Sequence, residues 1–269
     1  MSANEAKEIG TQGIQAVGRA FRILELLAIS ERGLSLSDIA RSLDVNKQIA
    51  SRLLQTLDEL GYVYKYPHSE RFTLSYRLAN LGHRKLVQEE MLDQARAVLL
   101  DLAEASGELA RLAIEENARL MWIMAEIGKK WMLNINPNFS PAINLHTTAS
   151  GKAWLSTKEQ DFVKVTLDAN PTVRRTEYTI MDRAAYFVEL QEVRNRGWAT
   201  SWQESELGIG AIAAPIMSDS FEGSARCVGT ISLSAPTNRM DREQLESWGP
   251  LVVDACRRLG RMWPHKTAF

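Results

Sequence analysis

The chain has 269 residues, room for two modest domains or one large one. Hydrophobic residues make up 45% and charged residues 24%, which excludes a wholly disordered, collagenous or fibrous chain. A net charge of -1 excludes a generic polycation that coats nucleic acid or acidic membranes. Two cysteines, Cys227 and Cys256, are too few for a disulfide framework and read as reduced thiols. Residues 1–13 are polar and lack the apolar stretch of a signal peptide, and no segment approaches the roughly 18 apolar residues of a spanning helix. A soluble cytoplasmic protein with no membrane partner is expected. The charge is unevenly spread: residues 14–82 hold nine Lys or Arg against seven Asp or Glu, a net +2.

Val17, Ala20, Phe21, Leu24, Leu27 and Ala28 recur at the spacing of one helix face and predict a first amphipathic helix. Gly33 ends the connection after it. Ser35, with Asp38 three residues on, resembles a capping box and opens a short second helix over residues 36–43. Asp44 and Val45 make a tight turn, and Asn46 is a natural cap for a third helix. Its buried face is Ile49, Ala50, Leu53, Leu54, Leu57 and Leu60, closed by Gly61. The opposite face presents Lys47, Gln48, Ser51, Arg52 and Gln55. A short helix, a tight turn and a helix with long polar side chains near its start make a helix-turn-helix, whose second helix fits the major groove. Tyr62-Val63-Tyr64-Lys65-Tyr66, a turn at Pro67-His68-Ser69-Glu70 and a returning strand from Arg71 form a wing. Lys65, His68 and Arg71 are its candidate contacts to the sugar-phosphate backbone or the minor groove. The competing interpretations are a small bundle with a solvated polar face and a winged helix used for protein contacts.

The run Gly13-Ile14-Gln15-Ala16-Val17-Gly18-Arg19-Ala20, then Leu34-Ser35-Leu36-Ser37-Asp38-Ile39-Ala40, then Asn46-Lys47 to Arg52-Leu53-Leu54, then Gly61-Tyr62-Val63 resembles the IclR family of bacterial transcription regulators. The resemblance implies an α+β two-domain chain: an N-terminal winged helix-turn-helix and a C-terminal effector-binding domain of GAF-like fold. Many members read Pro-Lys-Ser-Thr-Val-His-Arg where this chain reads Asn46-Lys47-Gln48-Ile49-Ala50-Ser51-Arg52. Lys47 and Arg52 are kept, so phosphate anchoring carries over; Gln48 and Ser51 differ, so the operator sequence does not.

A long helical pattern follows over residues 84–106, polar in its early half around Gln88, Glu89 and Glu90 and apolar later, and Gly107 ends it. The expected division is a DNA-binding domain over 14–82, a linker helix over 83–98 and an effector-binding domain over 99–269. Within the last, strands are expected over 109–114, 120–127, 131–135, 198–202, 209–216 and 228–233. Helices are expected over 150–155, over 158–167 with Thr157 as cap, over 183–196 closed by Gly197, and over 242–262 with Asp241 as cap. Short turns such as Glu115-Glu116-Asn117-Ala118-Arg119 make the sheet mainly antiparallel. The family resemblance continues through Leu145-His146-Thr147-Thr148-Ala149-Ser150-Gly151-Lys152-Ala153, the segment around Gly197, Leu207-Gly208-Ile209-Gly210 and Ile231-Ser232-Leu233-Ser234.

No catalytic or metal-binding spacing stands out. Gly151-Lys152 lacks the upstream glycine of a phosphate-binding loop; there is no H-E-x-x-H, C-x-x-C or G-x-S-x-G; and His68, His83, His146 and His265 are scattered. No catalytic residue, metal or cofactor is expected. One strand does suggest a site: Thr230, Ser232 and Ser234 alternate with Ile231 and Leu233, placing three hydroxyls on one face. That face is either solvated or a polar wall that donates hydrogen bonds to a carboxylate or carbonyl. The resemblance implies a small organic acid held by Ser232 and Ser234, with Ala149, Ser150 and Gly151 alongside. It also directs attention to Ser201 and Ala211, where some members carry an acid and a cysteine. That loss, with Trp122, Trp131, Trp154 and Trp202 in the same domain, suggests an aromatic or bulkier effector. One winged helix makes too small an interface for specific binding, so a dimer reading a pseudo-palindromic double-stranded operator is expected. The resemblance adds a homodimer or dimer of dimers. An enzyme fused to a winged helix, or a ligand-binding domain whose winged helix serves protein contacts, is the alternative.

Overall fold

The computed structural model describes residues 14–87, 91–137, 143–218 and 225–263. The expectations that fall on residues 1–13, on Gln88, Glu89 and Glu90, and on His265 lie outside the described residues. The chain divides into two compact units at Glu89 and Glu90.

The first unit comprises α1 (Gln15–Ala28), α2 (Leu36–Ser42), α3 (Lys47–Glu59), β1 (Val63–Lys65), β2 (Phe72–Leu74) and α4 (Tyr76–Val87). Its core joins Ile23, Leu24 and Leu27 of α1, Ile39 and Ala40 of α2, Ala50, Leu54 and Leu57 of α3, and Val63. The buried stripe of α1 is rotated from the expected one. It runs through Ala20, Ile23, Leu24 and Leu27, leaving Val17 52% and Phe21 61% exposed, with Ala28 exposed as well. At 100° per residue both stripes share Leu24, so periodicity alone could not choose between them. Leu60 is the C-terminal cap of α3 and is exposed, and Gly61 takes the left-handed turn after it (φ 74°).

The wing is a β1–β2 ladder from Val63 opposite Leu74 to Lys65 opposite Phe72. Leu34 and Phe72 exchange backbone hydrogen bonds of 3.0 and 2.8 Å, which sew the wing to the connection before α2. The helix expected from residue 84 begins at Tyr76, so Gly82 lies inside α4. Ser75 starts it: its hydroxyl donates to the Gly61 carbonyl and accepts from the Arg77 N–H.

The second unit comprises α5 (Met91–Ser106), β3 (Leu109–Glu116), β4 (Arg119–Ile127), α6 (Ala149–Leu155), α7 (Gln160–Ala169), α8 (Arg183–Arg196), β5 (Ala199–Trp202), β6 (Ile209–Ser218), β7 (Arg226–Pro236), α9 (Arg242–Ser247) and α10 (Gly249–Met262). The five strands form one antiparallel sheet in the order β4-β3-β7-β6-β5. Asn117 and Ala118, both at positive φ, make the two-residue β3–β4 turn. On one face α5 and α10 bury Leu99, Leu102, Leu112, Ile212, Ile231, Leu233, Val252 and Leu259. On the other, Ala149 and Ala153 of α6 and Val193 of α8 pack on Ala199 and Ala213. Met91, Leu92, Ala95 and Val98, expected in the linker, are buried in the first of these cores.

Three further expectations are corrected. Residues 131–135 form no strand: Met132 and Leu133 are exposed, Arg239 lies over the Trp131 ring, and its Nη1 donates to the Leu133 carbonyl. Thr157 does not cap α7. Its hydroxyl donates to the Trp154 carbonyl at 2.7 Å, and Glu159 occupies the cap position without a side-chain bond. The single helix expected over 242–262 is two helices that meet at Trp248, because Pro250 has no N–H to continue the ladder and its ring crowds the preceding turn. Asp241 and Gln244 do form the capping box that opens α9.

Asn46 accepts from the Ile49 N–H at 2.9 Å and anchors the start of α3. Asn46→Ala is expected to cost about 0.5–2 kcal/mol, read as faster amide exchange in the first turns of α3 with α8 unchanged. Unchanged exchange in α3 would contradict the cap.

Candidate DNA-reading surface and ligand-binding face

At α2 the Ser35 hydroxyl donates to the Asp38 carboxylate (2.7 Å) and accepts from the Asp38 N–H (3.2 Å), holding the Asp38 carboxyl below its ordinary pKa. Asp44, at positive φ, makes the turn to α3. Lys47, Gln48, Ser51 and Arg52 then stand exposed on one side of the first turns of α3. Neither Lys47 nor Arg52 has a carboxylate within ion-pair distance among the described residues. Two cations without counter-ions on the exposed face of a capped helix are ready to meet phosphate.

The wing residues differ in freedom. His68 is exposed in the turn. Lys65 pairs with Glu70 at 2.8 Å, and Arg71 is half-buried with its Nη1 donating to the Gly33 carbonyl at 2.8 Å. Arg71 therefore ties the wing to the body of the unit. Tyr64 and Tyr66, which sequence reasoning left out of the site, are exposed on the wing and joined through their hydroxyls at 2.8 Å.

In the second unit, paired residues of adjacent antiparallel strands share a face. Ser232 lies between Arg111 of β3 and Ala213 of β6, and Ser234 between Leu109 and Ala211, which in turn pairs with Ser201 of β5. Ala213 packs on α6, so this whole set faces α6 and α8. Thr230, Ser232 and Ser234 are fully buried. The Ser234 Oγ accepts from Arg111 Nη2 at 3.1 Å, whereas Thr230 Oγ1, Ser232 Oγ and, on α6, Ser150 Oγ are buried without a hydrogen-bond partner. Buried polar groups are nearly always paired, so three orphans in this layer are unusual.

The other expected residues play different parts. The Ser201 hydroxyl already donates to the Thr147 carbonyl at 2.7 Å, as does Ser205. Gly151 is dictated by packing, since a Cβ there would lie 2.4 Å from the Leu145 backbone. Ala149 and Ala211 line the α6–sheet contact. Of the four tryptophans expected as aromatic surface, Trp122 stands beside Arg111. Trp154 is fully buried and donates to Glu115, Trp131 lies under Arg239, and Trp202 packs in the core on the opposite face.

Sequence reasoning missed Arg111. It is a lone charge within the apolar run Leu109-Ala110-Arg111-Leu112-Ala113, which is the signal that was available. Its guanidinium lies 4.2 Å from the Trp122 ring centroid, its Nε is buried without a partner, and burial pulls its pKa down to about 10.

Behind α6, Lys152 is 1% exposed and donates to Glu204, with a second bond of 3.0 Å to the Thr200 carbonyl. Burial pushes the Glu204 carboxyl up and Lys152 opposes that shift. A separate cavity of about 320 Å³, lined by His146, Leu167, Asp168, Thr172, Arg183 and Tyr186 among others, contains none of the expected site residues, and its Asp168 and Arg183 are paired at 2.6 Å. Burial raises the pKa of both thiols, Cys227 and Cys256, which disfavours the reactive thiolate. Among the described residues no three His, Cys, Asp or Glu gather to hold a metal, and no helix is long and apolar enough to cross a membrane.

A winged helix-turn-helix followed by an α+β domain with a polar inner face defines a DNA-binding regulator. The profile of the IclR helix-turn-helix domain matches residues 16–67, and that of the bacterial transcriptional regulator IclR C-terminal domain matches residues 83–261. The chain belongs to the IclR family of bacterial transcriptional regulators. It is 31% identical to the regulator BhcR of Paracoccus denitrificans, over 95% of this chain and 90% of that one. It is 27% identical to KdgR of Escherichia coli, over 99% of this chain and 100% of that one. An IclR transcriptional regulator from Alicyclobacillus acidocaldarius superposes with a TM-score of 0.81 at 25% identity, covering 92% of this chain and 98% of that one.

Lys152→Met leaves Glu204 buried without its cation and is expected to cost about 3–5 kcal/mol at neutral pH. Because the folded-state pKa of Glu204 is raised, the deficit grows as pH rises from the ordinary carboxylate value of 4.5. Adding Glu204→Gln should recover much of it in calorimetry. A Lys152→Met chain as stable as the parent would contradict the ion pair.

Proposed function

We propose that this chain is a cytoplasmic homodimer, or dimer of dimers, that binds a pseudo-palindromic operator and changes its hold on that operator when a small organic metabolite binds the polar face of the C-terminal sheet. The first unit, through Glu89, reads DNA, and the second, from Glu90, binds the effector. The observation that carries the DNA-reading half is the exposed set Lys47, Gln48, Ser51 and Arg52 on a capped α3, both cations lacking counter-ions among the described residues. Lys65 and His68 flank the groove from the wing, and Arg71 fixes the wing that carries them. The observation behind the effector half is the buried row of Ser232 and Ser234 on the sheet face that Ala149 of α6 packs against, with Ser201 and Ala211 at its edge.

The effector is held and released unchanged, with no catalytic step and no cofactor. It acts by binding one arrangement of the DNA-reading units better than another, since equal affinity for both shifts nothing.

Arg52→Ala tests the DNA surface, with the operator recovered from bound genomic fragments. If Arg52 contacts phosphate, affinity falls for all sequences and the slope of log K against log salt decreases by about 0.9. If it reads a guanine edge, the loss is about 1–3 kcal/mol and confined to one operator position. Unchanged affinity and slope would remove Arg52 from the interface.

A further inference from the structure

Resting on that assignment of the polar face, and on the small organic acid that the family resemblance implies there, we propose that Arg111 is the anchor and specificity determinant that pairs with the effector's carboxylate. Arg111 stands opposite Ser232 in the β3–β7 register and next to Ser234, whose hydroxyl accepts one of its N–H groups. Trp122 backs the guanidinium at 4.2 Å and holds its plane. The Nε–H is left buried without a partner, and no carboxylate among the described residues lies within ion-pair distance of it.

The other buried charges described in this unit have partners. Glu115, on the same strand, takes Lys158 at 2.6 Å and Trp154 Nε1 at 2.6 Å. Lys152 takes Glu204, and Arg239 takes Glu108 through its Nε and Nη2. Arg111 is therefore a partly buried cation that the fold leaves without its counter-ion. A buried charge is retained only when something compensates it, and guanidinium pairs with carboxylate through two parallel N–H···O bonds. Ser232 Oγ, opposite Arg111 in the register, supplies a neutral donor beside the guanidinium, and Thr230 Oγ1 a second on the same face of β7. One unanswered cation calls for one negative charge, which favours a monocarboxylate over a dicarboxylate or a phosphomonoester.

The test uses the full-length chain and four acids, acetate, pyruvate, benzoate and phenylacetate, each beside its primary amide, up to millimolar concentrations. Binding is read by titration calorimetry and by release from the operator. At least one acid is expected to bind with its amide weaker by about 10- to 100-fold, the worth of a charge-assisted bidentate contact. Arg111→Met, which keeps a stem to pack on Trp122, should remove that preference, and it also takes its donor away from Ser234. Arg111→Lys should restore part of it, keeping the charge and losing the fork. A destabilised Arg111→Met chain would be set aside in favour of the lysine variant, whose acid-to-amide ratio must fall below the parent's. Amides that bind as well as acids, or acid binding undiminished in both variants, would overturn the anchor while leaving a ligand-responsive regulator intact. No response of calorimetry or operator release to any of the eight compounds would overturn the monocarboxylate assignment. Failure of metabolite extracts to alter operator binding as well would overturn the effector reading beneath it.

Discussion

Among the described residues, strand β7 does not find partners for both of its faces. It lies at the centre of the sheet, and its alternation of Ile231 and Leu233 with Thr230, Ser232 and Ser234 gives it one apolar and one hydroxyl-bearing side. The apolar side is sealed by α5 and α10. On the other side, small residues at Ala199, Ala211 and Ala213 leave the hydroxyls little to bond, and among the described residues Ser234 alone of the three finds a partner, Arg111. Each buried polar group without a bond costs about 1–3 kcal/mol, a large fraction of the stability of a domain. The surroundings are built to carry that cost: the Lys152–Glu204 pair, the Ser201 and Ser205 hydroxyls on Thr147, and the close seating of Gly151 on Leu145 all hold α6 over the sheet.

The same arithmetic bears on regulation. Moving a two-state equilibrium from 1:99 to 99:1 requires a ligand to favour one state by about 5.5 kcal/mol. Two or three charge-assisted or buried hydrogen bonds, at about 1.5–3 kcal/mol each for those to a charged group, reach that range. The orphaned hydroxyls and the guanidinium are thus of the right number and strength to let one small molecule change the state of the DNA-reading unit.

What was legible in the sequence was whatever local chemistry determines. Ser35 with Asp38, Asn46 and Gly61 mark helix ends by hydrogen bonds that span three residues or by a single left-handed φ, and the helix-turn-helix follows from them. The β3–β4 turn and the strands of the sheet were readable for the same reason. What was not legible depends on contacts far apart in the chain. The burial of α1 depends on which of two overlapping stripes meets α3, and the loop at Trp131 is shaped by Arg239, more than a hundred residues away. Arg111 looks like an ordinary charge on a half-exposed strand until the β3–β7 register places it opposite Ser232, 121 positions on. Pro250, by contrast, was a local signal, and it breaks the last helical segment in two.

The central claim is that the hydroxyls of β7 are reserved for a ligand, so their removal should not harm the empty protein. The most direct measurement is the calorimetric unfolding of the unliganded Ser232→Ala chain beside the parent. A variant as stable as the parent, or more stable, is the predicted result, because the substitution deletes a buried group that has no partner. A loss of about 1 kcal/mol or more would mean that the Ser232 hydroxyl already has a structural partner, and would contradict the account.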